Sequence, residues 1–386
     1  MKMAESLQGY VRADGSVGFR NHLLVVPLTG CLQSLAVRMA DKVPGATALV
    51  HGNGCDFQGK DGELLATLLG GFATHPNVGG VLFLSMGCAA MLAPRIPELA
   101  RKSGRLVAEL NMHTVGGTTA TVSRGIELAM PISRELASAA RKPVPLSSLV
   151  IGTKCGSSNN DSFEFCHPVA GRAMDHFVDG GATVVLSEDC ELYHGAPQLA
   201  KRAVDKKTAD GILSMAKKIG EYWQGRFEID FETFSAPKGE KEKAVKRSLE
   251  HAAKAGTKPI RAIFDMSERV KGPGLVILNA PNTDLENMTC LAAAGCNVIL
   301  FTTGRGTVVG SPTAITVKVT ATEATYKRME ENLDVDVSGF TRGAESLDQA
   351  ASRIFDRIVA AANGQAQKAE ILHHAEIAFP LRGVTF

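Results

Sequence analysis

The stretch Thr302-Thr303-Gly304-Arg305-Gly306-Thr307 closes an apolar run, "NVILF", and its residue types suit one task. Gly304 and Gly306, lacking side chains, let main-chain N–H groups come close to a ligand. Arg305 offers a planar fork that matches a carboxylate or phosphate, and Thr302, Thr303 and Thr307 add hydroxyls. The combination fits a small oxyanion. A nucleotide phosphate is the alternative, but neither GxxxxGK[ST] nor a GxGxxG after a strand occurs in the chain. A tight turn with a surface arginine is the plain structural reading.

Three further segments carry chemistry. "HGNGCDFQGKD" (51–61) sets His51 and Cys55, soft-metal ligands, beside the harder Asp56 and Asp61; a buried histidine packed with a small cysteine would look the same. "GTKCGSSNND" (152–161) brings Cys155, Ser157, Ser158 and Asn159 to a strand exit, as pocket lining or as caps of the helix starting near Pro168. His167 just before that proline is a ligand, a proton carrier or a core histidine. "SEDCELYHG" (187–195) presents Glu188, Asp189 and Glu191, with His194 three residues on. Such acids bind a divalent ion, act as a base, or sit at a helix N-terminus because the dipole favours them there.

The elements that must position these residues follow from the apolar pattern. "LLVVPL" (23–28), "VGGVLFLS" (78–85), "ATVVLSE" (182–188), "GLVILN" (274–279), "NVILFTT" (297–303) and "AITVKV" (314–319) are β-branched runs, most of them followed by a helical pattern. This alternation predicts an α/β protein: parallel sheets flanked by helices, in two Rossmann-like α/β domains. In such sheets ligands bind outside the carboxyl ends of the strands. The strand ends rich in Gly, Cys, Ser, Thr, Asn and acids therefore predict one convergent site. "ARKPVPLSSL" (140–149) marks the boundary between an N-terminal domain over 1–142 and a C-terminal domain over 143–386. The charge run in "FETFSAPKGEKEKAVKR" (231–247) reads as a solvated face leading into a helix that ends at Gly256.

A net charge of +2 without a basic block argues against nucleic-acid or membrane-surface partners. No apolar run reaches the roughly 18 residues of a membrane-spanning helix, and "MKMAESLQGYVRADG" lacks the apolar core of a signal peptide. A cytoplasmic protein is expected. Its eight cysteines contain no CxxC pair, which points to free thiols and not to a structural zinc or cluster site.

Taken in order, "GYVRADGSVGFRNHLLVV", "HGNGC", "KCGSS", "GGATVVLSEDCELYHGA", "FTTGRGT" and "RMEENLDVDVSG" resemble the altronate/galactarate dehydratase family over nearly the whole chain. That family also contains the large subunit of (2R)-sulfolactate sulfo-lyase. The resemblance implies a lyase that removes water from a sugar acid or small hydroxy acid to give a 2-keto acid. Elimination of sulfite, or a non-catalytic acid-binding subunit, are the alternatives. It implies a divalent metal (Fe2+, Mn2+ or Mg2+), expected on His51, Cys55 and Cys155. Glu188, Glu191, His194 and His167 are then the candidates for acid and base. Thr302, Thr303, Gly304, Arg305, Gly306, Ser157, Ser158 and Asn159 would hold the substrate. It also implies a small SAF-domain subunit as partner, in a homo- or hetero-oligomer. The chain departs from the family pattern at Asn159 and Ala89, where acids are usual, at His167, where an asparagine is usual, and at "NAPN" (279–282) in place of "DTPG". Two fewer acids change the charge of the site and with it the expected substrate.

Overall fold

The computed structural model describes residues 6–54, 59–87 and 94–381. In chain order the strands are β1 (Leu7–Val11), β2 (Val17–Gly18), β3 (His22–Pro27), β4 (Ala46–Ala48), β5 (Val78–Ser85), β6 (Leu106–Asn111) and β7 (Lys142–Val144), then β8 (Val150–Gly156), β9 (Thr183–Leu186), β10 (Ile260–Asp265), β11 (Gly274–Asn279), β12 (Val298–Thr303), β13 (Ile315–Thr320) and β14 (Val335–Asp336). They form a four-stranded parallel sheet, β4-β3-β5-β6, and a seven-stranded parallel sheet, β10-β11-β9-β8-β12-β13-β14. A small antiparallel sheet, β2-β1-β7, completes the set. The mixed α/β architecture with helix-flanked parallel sheets is the one the sequence predicts.

Strands buried on both faces must be apolar throughout, and β8, β9, β11, β12 and β13 are Val-, Ile- and Leu-rich. One face of the large sheet packs on helices His167–Asp179 and Leu347–Ala362, in a core that includes Phe177 stacked on Phe355 at 4.4 Å. The other face packs on helix Asp284–Ala293, which meets helix Gly59–Ala73 beneath the four-stranded sheet. At that contact a side chain on Gly71 would lie 2.4 Å from the Ala293 carbonyl oxygen, so only glycine lets the two helices approach this closely. Polar bonds also tie the sheets together. Asn77 Nδ2 donates to the carbonyls of Asn297 and Thr313, each at 2.9 Å.

The strand order creates a switch point. From β8 the chain runs outward through β9, and later returns to place β12 on the opposite side of β8. The crevice at the carboxyl ends of β9, β8 and β12 is where such a sheet opens to a ligand. Among the described residues no helix is long and apolar enough to cross a membrane.

Candidate active site

Cys155 sits at the end of β8, within that crevice. Past the end of β9, Glu188 adopts a left-handed backbone (φ 78, ψ 69) and points its carboxylate inward. Such a conformation costs a non-glycine residue on the order of 1–3 kcal/mol. It persists because both carboxylate oxygens are anchored. Oε1 pairs with Lys154 Nζ, while Oε2 accepts from Lys254 Nζ at 2.8 Å, His251 Nε2 at 3.0 Å and the Cys155 amide at 3.2 Å. Lys154, Glu188, His251 and Lys254 are all at most 2% exposed. Helix Lys241–Ala252 delivers His251, and the turn Ala253–Ala255 delivers Lys254. Lys154 also donates to the Cys155 and Asn282 carbonyls and pairs with Asp284 Oδ1 at 3.0 Å.

Charge balance explains how so many ionised groups are buried together. Lys154, Lys254 and His251 all face Glu188, and Lys154 also faces Asp284. Burial pushes the Glu188 carboxyl up, but Lys154, Lys254 and His251 hold it well below the usual carboxylate range. Burial and Glu188 push the Cys155 thiol up; His251, Lys254 and a hydrogen bond with His167 outweigh them and bring it down to about 5. Burial lowers His251, yet the Cys155 sulfur and Glu188 raise it to about 9. Cys155 and His251 therefore form a thiolate–imidazolium pair at neutral pH, with Sγ 3.6 Å from Nδ1. Ser158 Oγ donates to the same sulfur at 3.3 Å.

His167 opens the helix behind the cluster, after a π-helical turn Ser162–Cys166 of the kind that often marks functional sites. Its Nδ1 lies 3.0 Å from the Glu250 carbonyl, and burial lowers its pKa. Its Nε2 is buried without a conventional hydrogen-bond partner, and the ring contacts the Cys155 thiol. Glu191, 39% exposed at its side chain, brings Oε2 to 3.8 Å from His251 Nδ1.

The thiol, carboxylate and imidazole of Cys155, Glu188 and His251 all have donor atoms within 4.8 Å of one another. Whether they suit a cation turns on their free lone pairs. Glu188 has its oxygens occupied by two ammoniums, an imidazole and an amide, so it suits the position behind a histidine ligand, fixing its orientation. The Cys155 sulfur and, once it has lost its proton, His251 Nδ1 are the atoms left to face an ion, with His167 Nε2 buried against the same thiol. A sulfur–nitrogen gap of 3.6 Å matches two ligands of one tetrahedral ion, which lie about 3.5 Å apart. The residues present fit a borderline-soft divalent metal.

The turn after β12 is placed beside this cluster. Its main-chain donors, which the sequence assigns to a ligand, have internal partners: the Arg305 amide donates to Ser157 O at 3.1 Å and the Gly306 amide to Thr303 Oγ1 at 3.0 Å. Thr302 Oγ1 reaches Lys154 O at 3.4 Å. Gly304 is small because a Cβ there would strike Asn159 Oδ1 at 2.2 Å. Asn159 in turn donates to Thr322 Oγ1 and Gly304 O and accepts from Ser162, so it knits the turn together. Ser157, with φ 50, carries the carbonyl that holds Arg305 in register. The exposed Arg305 guanidinium makes no hydrogen bond or ion pair among the described residues and is the turn's open donor.

Other expected residues lie apart from the cluster. His194 is half-buried, with Nε2 2.9 Å from Ser235 Oγ and its ring against Tyr193. His51 belongs to the four-stranded sheet; its Nε2 lies 2.8 Å from the Pro27 carbonyl and its ring meets Phe379 edge-on at 5.3 Å. Cys55, Asp56, Cys88 and Ala89 lie outside the described residues. The six described cysteines are free. Lys154, His251, Lys254 and Asp284 escape the sequence reading. The one available signal is Lys154, a charge inside the otherwise apolar strand "VIGTKCG".

A parallel α/β sheet whose switch point holds a buried thiolate, imidazole and carboxylate defines an enzyme-type fold with a chemically equipped site. Residues 146–385 match the family model described as D-galactarate/altronate dehydratase, C-terminal. Residues 9–137 match the one described as D-galactarate dehydratase/altronate hydrolase, second domain. The chain belongs to this family of dehydratases and related lyases. It is 30% identical to an altronate dehydratase of Bacillus subtilis, over 98% of this chain and 78% of that protein. It is 29% identical to (2R)-sulfolactate sulfo-lyase subunit beta of Chromohalobacter salexigens, over 95% of each chain. To a galactarate dehydratase (L-threo-forming) of Escherichia coli it is 25% identical, over 93% of this chain and 73% of that protein.

Proposed function

We propose that the chain is the large subunit of a metal-dependent lyase that eliminates water from a small hydroxy acid to give a 2-keto acid. One observation carries this reading: around Glu188 the Cys155 Sγ lies 3.6 Å from His251 Nδ1, and His167 Nε2 is buried against the same thiol. A divalent metal there would supply Lewis-acid polarisation of a substrate oxygen. Thiolate and imidazole ligands suit Fe2+ better than Mn2+ or Mg2+.

The chain's own residues account for the remaining needs. Glu188 fixes the His251 ring, and Lys154 and Lys254 hold Glu188 ionised. Arg305 clamps the substrate carboxylate, whose charge grows as the α-proton leaves. Glu191, acidic, half-exposed and beside His251, takes that proton. The C–H electron pair becomes the C=C bond of an enol as the β-hydroxyl departs with a proton as water, and the enol tautomerises to the keto acid. A sulfonate in place of the hydroxyl would leave as sulfite by the same electron movement.

A small SAF-domain subunit is part of this reading. What supports it is that one similar protein, the (2R)-sulfolactate sulfo-lyase chain, is named as a subunit. The test is co-expression with a small SAF-domain chain, metal analysis, and 2-keto acid release from a panel of hydroxy acids. Stoichiometric metal with turnover supports the lyase; neither metal nor turnover leaves an acid-binding subunit as the better reading.

A further inference from the structure

Arginines stand on two sides of the cluster. Arg305 stands on the β12 side of Cys155. On the β9 side a second arginine is placed, on the helix that the sequence reads as a solvated face. Ser248 fastens that helix to the Glu191 segment: its Oγ donates to Glu191 O at 2.6 Å and accepts from the Gly195 amide at 2.9 Å. Arg247 and His251, four residues apart, share one face of that helix. His251 is the buried end of that face, followed by Lys254 in the next turn, and Arg247 is its open end, 46% exposed.

Arg247 is held in a defined plane. Its guanidinium carbon lies 4.0 Å over the centre of the Phe163 ring, which meets His167 edge-on at 5.1 Å and lies 6.4 Å from His251. One aromatic ring thus separates Arg247 from the two histidines. Stacking fixes the guanidinium face and leaves its N–H edge available for a bidentate anion. Among the described residues its acidic partner is Glu250, in an ion pair at 3.5 Å that is longer than a close charge-assisted bond.

We infer that Arg247 is a specificity-determining residue that binds an anionic group at the far end of the substrate, so that the site selects acids anionic at both ends over those anionic at one. This rests on the lyase reading for the reaction and adds the recognition of the distal group. Arg305 takes the carboxylate next to the reacting carbons, and Arg247 takes a second carboxylate or a sulfonate.

The test uses the co-expressed complex and pairs of acids of equal carbon number, a six-carbon aldaric acid against the matching aldonic acid. The wild type should show higher kcat/KM on the doubly charged acid. In Arg247→Gln the ratio of kcat/KM for double over single charge should fall roughly 30-fold, mostly through KM, as for loss of one charge-assisted bidentate contact. Arg247→Lys should restore part of it. A ratio unchanged by Arg247→Gln, or a wild type that prefers the singly charged acid, overturns the inference. If no acid is turned over, the lyase reading fails separately. Calorimetric titration of the same pair into wild type and Arg247→Gln then decides on Arg247, since equal affinities for both acids would refute it.

Discussion

The carboxyl ends of the two parallel sheets carry nearly the same sequence signal. "PLTGC" and "HGNGC" leave the four-stranded sheet, and "KCGSS", "SEDCE" and "TTGRG" leave the seven-stranded one. Yet among the described residues a cluster with metal-ligand spacing forms only at the second. The histidine of the first sheet faces a carbonyl and a phenyl ring. The histidine of the second faces a thiol, a carboxylate and, across the ring, another imidazole. Among the described residues, what separates the two ends is the company that other elements bring. At the large sheet His251, on a helix 96 residues beyond Cys155, supplies it.

Removing the groups that make the two ends differ should have graded effects. The largest belongs to Glu188→Gln. It leaves two buried lysines without their shared carboxylate, a loss of about 3–5 kcal/mol of stability for a broken buried ion pair, read as a fall in denaturant midpoint and accompanied by loss of turnover. An unchanged midpoint would mean that the lysines find other partners. Next come Cys155→Ser and His251→Ala, each expected to lower metal content of the purified complex at least tenfold; full occupancy in both would move the metal elsewhere. Arg305→Ala should reduce kcat/KM by roughly 10²-fold, the effect of one oxyanion donor, and unchanged kinetics would remove the β12 turn from substrate binding. The smallest effect is expected for His51→Ala, which should retain its metal and lose about 1–2 kcal/mol from a missing hydrogen bond and packing. Loss of metal in that variant would instead bring the 51–61 loop into the site.

Much of this was readable from the chain. The apolar runs gave the parallel sheets because strands covered on both faces need unbroken apolar sequence, and the gathering of polar residues at strand ends indicated where the crevice lies. Short strands such as β4, three residues long, and the half-exposed β10, "IRAIFD", lacked that pattern. At the site, Cys155, Glu188, Glu191 and His167 came forward by residue type. His251, Lys254 and Arg247 did not. A charged stripe reads as a helix face turned to water, and only the tertiary contact with Glu188 gives it another meaning. In the glycine-rich turn the Arg305 and Gly306 N–H groups serve Ser157 and Thr303, and the close approach of Asn159 to Gly304 and the positive φ of 95 at Gly306 give structural reasons for the glycines.

The most direct test of the central claim is the absorption spectrum of the complex loaded with Co2+, whose bond to a thiolate gives a charge-transfer band in the near ultraviolet. The proposed site predicts that band at one equivalent of metal, with its loss in Cys155→Ser. Stoichiometric Co2+ without the band, or a band that survives in Cys155→Ser, would contradict a metal centre built on Cys155 and His251.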